Sequence, residues 1–211
     1  MSLEEVRARM DAALAAAGRS EQAVTLVVVS KGRSPEAIRA LYARGHRDFG
    51  ENRAQELAAK VPDLPGDIRW HFVGPLQRNK VPIVRPLVVK LHSLDRVKLA
   101  AAWVRGAVPA PPALLEINLA GEPQKHGFGT AEAGAAADEI IGLGVDLRGV
   151  MAIPPVGERA GPYFEALVAL RDEIRVRHPE VTEVSAGMTD DFEEAVRAGA
   201  TTIRVGRAIF D

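Results

Sequence analysis

Thr25-Leu-Val-Val-Val-Ser-Lys31 is the stretch on which the fold turns. Five β-branched or apolar residues run into Ser30 and Lys31, and helix-start signals follow at once: Ser34 as N-cap and Pro35 at the first helical position. A continuous apolar run with helices on either side suits a parallel strand covered on both faces. That reading puts Lys31 at the carboxyl end of a parallel strand, the edge on which α/β proteins assemble their chemistry. A lysine at the mouth of an apolar barrel can be desolvated into a neutral amine competent to form a Schiff base. The plain alternative is a side chain that snorkels its ammonium out past the sheet edge.

Outward from this strand, the same alternation repeats. Upstream, Ser2 and Glu5 form a capping box, and Val6, Met10, Leu14 and Ala17 trace one helical face before Gly18. Downstream, a helix from Ser34 to about Ala43 ends at Gly45, and His46-Arg-Asp-Phe-Gly50 reads as a second strand. Asn52 is placed to cap the next helix. Further strands are expected at Arg69–Val73, Leu87–Ser93, Ala113–Leu119, Leu147–Ile153, Val181–Ser185 and Thr202–Val205. Helices are expected from Asp95 as cap to about Arg105, from Ala131 to about Leu143, from Gly161 to Arg177, and from Thr189 or Asp190 to Gly199. Gly121–Gly129 reads as a polar, Gly-rich loop, and Gly106–Pro112 as a Pro-rich connection too short to link domains. Eight strands alternating with helices, without a composition break, predict a single α/β domain over residues 1–211, a (β/α)8 TIM-type barrel. The competing doubly wound sheet is disfavoured because no Gly-x-Gly-x-x-Gly follows the first strand.

Composition narrows the function classes. The 211 residues are 47% hydrophobic and 26% charged with a net charge of −1, an ordinary globular balance with no basic footprint for nucleic acid. The absence of cysteine rules out disulfides, thiolate zinc sites and a cysteine nucleophile. No apolar run approaches the roughly 20 residues of a membrane-spanning helix, and the start lacks a secretory signal, so a cytoplasmic protein is expected.

Two C-terminal turns hold the remaining candidates. Ser185-Ala-Gly-Met-Thr189 lies between a strand and a helix, and Arg204-Val-Gly-Arg207 ends the last strand. Small residues with outward N–H groups make an anion nest, and barrels commonly bind phosphate beyond strands seven and eight; tight turns with ordinary capping would look the same. The five histidines, His46, His71, His92, His126 and His178, show no metal-ligand spacing, and His71 reads as a core or hydrogen-bonded residue. Glu51 and Asn52 follow the second strand and face the same mouth as Lys31. Glu116 is the one carboxylate within a strand that could serve an aldolase or phosphosugar isomerase on this barrel, although a structural role suits it better.

Taken together, Val29-Ser-Lys31, Phe49-Gly-Glu-Asn52, Trp70-His-Phe-Val-Gly-Pro-Leu-Gln-Arg-Asn-Lys80, His92-Ser-Leu-Asp95, Gly149-Val-Met-Ala-Ile-Pro154, Ser185-Ala-Gly-Met-Thr-Asp-Asp191 and Arg204-Val-Gly-Arg-Ala-Ile-Phe210 resemble the YggS/PROSC family of pyridoxal phosphate homeostasis proteins. The resemblance spans nearly the whole chain in order. It implies a barrel like that of alanine racemase, with pyridoxal 5′-phosphate held by Lys31 as a Schiff base. It further implies that Ser185, Gly187, Met188 and Thr189, with Gly206 and Arg207, cradle the phosphate. Arg204 would lie by the ring nitrogen, Asn52 near the ring, and Met151 along the same mouth. Two departures stand out. The family carries Ser or Thr where Arg207 stands, so backbone contacts are expected there. It also continues with Gly and a short tail where this chain stops at Asp211, so the last helix is expected to be incomplete.

The resemblance implies buffering of the cofactor and its delivery to apo enzymes by a cytoplasmic monomer with little or no catalysis. The alternative is a weak amino-acid racemase. Racemisation needs acid/base groups on both faces of the cofactor, one lysine and one other. Racemases take the other, a tyrosine, from a partner's second domain, and Tyr42 and Tyr163 fall on predicted outer helices. An arginine at the ring nitrogen would also weaken the cofactor as an electron sink.

Overall fold

The computed structural model describes residues 1–20 and 23–210. Among these, nine strands form one sheet in which every pairing is parallel. The strands are β1 (Thr25–Val29), β2 (Asp48–Glu51), β3 (Arg69–Phe72), β4 (Lys90–Leu94), β5 (Ala113–Asn118), β6 (Phe128–Gly129), β7 (Leu147–Ala152), β8 (Glu183–Ser185) and β9 (Thr202–Val205). The order β4-β3-β2-β1-β9-β8-β7-β5 closes through a β4–β5 pairing, which makes the eight-stranded barrel expected from the sequence. The ninth strand is β6: the Gly-rich loop folds Phe128 and Gly129 back onto Ile117 and Asn118 of β5.

The helices are α1 (Leu3–Ala16), α2 (Pro35–Ala43), α3 (Ala54–Lys60), α4 (Val81–Val84), α5 (Val97–Trp103), α6 (Ala133–Gly142), α7 (Gly161–Arg177), α8 (Phe192–Ala198) and α9 (Arg207–Phe210). Ser2 and Glu5 do form the capping box of α1, and Ser34 caps α2. Two expected caps fail. Asn52 and Asp95 each stand one residue before the cap position, which Arg53 and Arg96 occupy in extended conformation without a side-chain cap bond. The chain runs one residue further out of the barrel before turning helical, which leaves Asn52 lining the mouth and Asp95 buried and paired with Arg96. The helix after β8 likewise starts later than expected, at Phe192. Gly199, at φ +120°, provides its stop. The last helix is short, ending at Phe210; Asp211 lies outside the described residues.

Between barrel and helices lies an apolar layer that includes the fully buried Phe49, Trp103, Phe164 and Phe192. Trp103 also donates its indole N–H to the Pro111 carbonyl at 2.9 Å, tying the Pro-rich connection to α5. The barrel interior is different. Along each strand alternate residues point inward, and the register aligns Glu116, Met151, Ser185 and Thr202 on successive strands, with Arg204 two residues beyond Thr202 on β9. This interior is partly polar, and its polar groups organise the site.

Candidate functional site

Lys31 follows β1 directly. The Ser30 carbonyl accepts the Arg33 N–H at 3.0 Å, closing a four-residue turn with Lys31 and Gly32 at its centre. Gly32 has φ +70°, the left-handed conformation that the third position of such a turn demands. Lys31 thus occupies the corner of a glycine-dependent turn. Its side chain is exposed and reaches out past the sheet edge at the mouth, the plainer of the two readings the sequence allowed, instead of being desolvated in the barrel. The cavity it lines, of ≈ 310 Å³, is walled by the carboxyl ends of β1, β3, β7 and β9 and by the segments after β2 and β8. Lys31, Asn52, Met188, Thr189, Arg204, Gly206 and Arg207 meet there.

Arg204 is a buried guanidinium that lines this cavity from below. Burial lowers its pKa to about 10, with Glu116 and Asp191 opposing the shift, and it remains a cation at neutral pH. Its Nη2 donates to the Ala152 carbonyl at 3.0 Å and its Nη1 to Ser185 Oγ at 2.6 Å. From there a file of hydrogen bonds runs through the barrel. Ser185 Oγ lies 2.9 Å from His92 Nδ1, His92 Nε2 lies 2.9 Å from His71 Nδ1, and His71 Nε2 lies 3.2 Å from Asp48 Oδ1. The two ends fix every proton in between. A guanidinium can only donate and a carboxylate only accept, so Ser185 donates to His92, His92 through Nε2–H to His71, and His71 through Nε2–H to Asp48. Both imidazoles are held neutral by burial, which keeps their pKa values low, His92 well below the usual value. His71 and Arg69 in turn hold the Asp48 carboxyl ionised, against burial, well below the usual carboxylate range.

This file corrects part of the sequence reading. The Ser185 hydroxyl is fully buried and spent on Arg204 and His92, so it cannot act as a free donor in the mouth. Met151 is sealed in the barrel wall, in register with Glu116 and Ser185, and does not line the cavity. Inward-pointing residues one layer below the strand ends face the interior, not the mouth. Gly187 also stays in the wall, where its carbonyl accepts the Arg204 N–H at 2.9 Å. Its φ of +91°, and the 2.7 Å that would separate an added Cβ from that of Ala195, explain why glycine stands there. Asn52, freed from capping, lies in the wall between this cavity and a larger one of ≈ 790 Å³ that Arg53, Lys80, Arg96, Lys125 and His126 line. Its Oδ1 is buried with no hydrogen-bond partner. Gly74 packs so tightly on Asn52 that a Cβ there would come within 2.5 Å of its carbonyl oxygen.

The roles of two groups, His92 and Lys60, went unread in the sequence, and a third, Glu116, differs from the structural role it suggested. His92 lies on β4 opposite Ser185 of β8, a proximity that only barrel closure creates. Lys60 reads as an ordinary helix-end lysine yet is buried, with Nζ 2.7 Å from Glu51 Oε1 and 2.8 Å from the Ser30 carbonyl. Glu116 has a buried Oε2 without a partner, and burial, aided by Asp95, pushes its pKa up to about 7. A hydrogen-bonding role does not describe that oxygen.

Comparison with known proteins agrees with this geometry. The profile of the alanine racemase N-terminal domain family matches residues 1–211. A protein of Deinococcus radiodurans named pyridoxal phosphate homeostasis protein is 40% identical, covering 100% of both chains. PipY of Synechococcus elongatus PCC7942, solved without PLP, superposes with a TM-score of 0.86 at 33% identity, covering 97% of this chain and 99% of that one. The same protein solved with PLP bound gives a TM-score of 0.78 at 32% identity, covering 96% of this chain and 100% of that one. The chain belongs to the alanine racemase N-terminal domain family and, within it, to the pyridoxal phosphate homeostasis proteins.

Proposed function

We propose that this chain binds pyridoxal 5′-phosphate at the barrel mouth, covalently through Lys31, and serves to buffer and deliver it, with little or no chemistry on amino acids. The observation that carries this reading is the meeting of Lys31, Arg204, Asn52 and the two C-terminal turns around one ≈ 310 Å³ cavity. The donor set suits the group. An aldehyde needs an accessible primary amine, and Lys31 is exposed at the corner of its turn. Asn52 Oδ1 is an unspent buried acceptor for a ring substituent. Gly206, pressed to 3.0 Å between a hypothetical Cβ and the Val29 carbonyl, lets the backbone approach a phosphate beside Thr189 and Arg207. The bound cofactor supplies a reversible condensation: its aldehyde carbon joins an amine with loss of water.

In this proposal Lys31 provides that amine, Thr189, Gly206 and Arg207 hold the phosphate, Met188 flanks it, and Asn52 orients the ring. Arg204 donates toward the ring nitrogen and keeps it unprotonated, because a guanidinium at pKa about 10 has no proton to yield at neutral pH. Ser185, Gly187 and Met151 act from behind as support. The carrier role is supported by the tyrosines: Tyr42 and Tyr163 give their hydroxyls to Asp67 and Glu158 on the outer surface, at 2.6 and 2.5 Å. On this reading residues 1–211 form one domain that works as a cytoplasmic monomer and hands its cargo to apo enzymes.

The test is an absorption spectrum of protein incubated with pyridoxal phosphate, then borohydride reduction and peptide mapping. The reduced pyridoxyl group is expected on Lys31, and Lys31→Ala is expected to fold normally and carry none. Failure to take up the cofactor, or a label elsewhere, would overturn the reading. Turnover of an amino acid to its enantiomer that Lys31→Ala abolishes would replace the carrier with a racemase.

A further inference from the structure

Behind the turn that carries Lys31 lies a buried ionic cluster that the proposed binding chemistry does not use. Lys60, the last residue of α3, reaches under β1 with its ammonium nearly sequestered from solvent. It donates to Glu51 Oε1 at 2.7 Å, to Glu56 Oε1 at 2.6 Å and to the Ser30 carbonyl at 2.8 Å. Ser30, fully buried, donates its hydroxyl to the same Glu51 oxygen at 2.7 Å. Glu56 Oε1 accepts the Gly32 N–H at 2.5 Å. The residues immediately before and after Lys31 are thus each tied to this one cluster, and Lys31 between them has its side chain free.

We propose that Lys60, Glu51 and Glu56 are positioning residues for Lys31, a clamp on both flanks of its turn that aims the amine into the mouth; this rests on Lys31 being the attachment point. Stability alone accounts poorly for such a cluster. One ammonium faces two carboxylates, Glu51 is wholly buried with its Oε2 unpartnered, and burial pushes the Glu51 pKa up against the pull of Lys60 and Ser30. Apolar side chains of similar volume commonly hold such a place at no loss of stability. What apolar side chains cannot do is accept the Gly32 N–H and donate to the Ser30 carbonyl. Those bonds hold the one segment whose direction decides where the Lys31 amine points. A glycine-containing turn is otherwise a flexible carrier for a reactive group. Misplacement of a reacting atom by about 1 Å costs up to about a hundredfold in rate.

The test compares Lys60→Met, Glu56→Ala and Glu56→Gln with the wild type, each mixed with pyridoxal phosphate and quenched with borohydride over a time course. Two quantities are read: label reduced onto Lys31, and total cofactor retained without reduction. Lys60→Met and Glu56→Ala are expected to form the covalent link about tenfold more slowly or worse, while still retaining cofactor through the phosphate site. Glu56→Gln keeps an oxygen for the Gly32 N–H and is expected to recover most of the rate lost in Glu56→Ala. That rescue separates positioning from loss of fold. Should Lys60→Met fail to melt cooperatively, the decision passes to the Glu56 pair, whose side chain is partly exposed. Wild-type rates in a folded Lys60→Met or Glu56→Ala would overturn the clamp. A Glu56→Gln as slow as Glu56→Ala would overturn its Gly32 half. Wild-type label mapping away from Lys31 would overturn the attachment point itself, a result legible before any variant is made.

Discussion

Ser185→Ala is the sharpest probe of the interior hydrogen-bond file, because one missing oxygen orphans two buried partners. Arg204 Nη1 donates to Ser185 Oγ at 2.6 Å and His92 Nδ1 lies 2.9 Å from it. A hydrogen bond from a charged group contributes about 1.5–3 kcal/mol and a neutral one about 0.5–1.5 kcal/mol, so losing both should cost about 3 kcal/mol. A methyl-sized replacement leaves too little space for a rescuing water. Ser93→Ala is the matched control: an equally buried serine whose hydroxyl serves one partner, the Gly74 carbonyl. It should cost about 1 kcal/mol. At about 3 °C per kcal/mol for a chain of this size, the thermal midpoints should fall by about 9 °C and about 3 °C. Calorimetry or circular dichroism melts decide it. Equal losses in the two variants would mean that Ser185 does not bridge Arg204 and His92, and the proton assignment along the file would fall with it.

Two further outcomes follow from titration and from backbone geometry. Burial lowers the His46 pKa to about 4 from the usual 6.5, so between those values the unfolded chain takes up a proton that the folded one refuses. Stability is lost there as pH falls, by about 3 kcal/mol in full. Glu116, pushed up to about 7, works in the opposite sense: its contribution is complete below the usual carboxylate value and is lost as pH rises to 7. In urea titrations across pH 4.5–6.5, His46→Gln should therefore reduce the acid loss by about one proton's slope and Glu116→Gln should increase it. Unchanged slopes would refute the assignments. Separately, Gly187→Ala should cost about 3 kcal/mol, since its Cβ would lie 2.7 Å from that of Ala195 at a φ of +91°. Gly32→Ala, with nothing within 4 Å, should cost only the left-handed penalty of about 1–2 kcal/mol. Equal losses in urea would show that Ala195 yields freely.

The barrel was legible because its signals are local. The Thr25–Val29 run, Pro35 at a helix start and Gly199 at a helix end each act within a few residues. β6 escaped because two residues, Phe128 and Gly129, carry no periodicity; only the edge of β5 makes them a strand. Asn52 and Asp95 misled because a polar residue between strand and helix normally caps, whereas here Asn52 lines the mouth and Asp95 pairs with Arg96. Ser185 misled for a related reason. Its place beside a glycine turn suggested an anion nest, yet strand alternation turns its hydroxyl into the barrel, and nothing in its neighbourhood in sequence reveals His92 on the facing strand. Lys60 lay hidden most completely, since a lysine at the end of a short helix is ordinarily solvated. It is buried only because α3 ends beneath the turn of Lys31.

The two polar systems divide the work of a holding site. A reversible amine link demands that the amine be reachable and that everything around it be still, since each freely rotating group must be ordered anew on every capture. Lys31 is exposed, so reach is met by leaving the side chain outside. Stillness is then supplied through the backbone, at Ser30 and Gly32, because fixing the lysine's own ammonium would require a charged partner that competes with the aldehyde for it. Arg204 shows the reverse solution. In the proposed role its guanidinium needs no freedom, and it is buried and bonded through Nη1 and Nη2, with Glu116 and Asp191 as the nearby carboxylates that favour its charge. On the proposed reading, a site arranged in this way would hold an aldehyde on Lys31 and leave the bond open to the next amine.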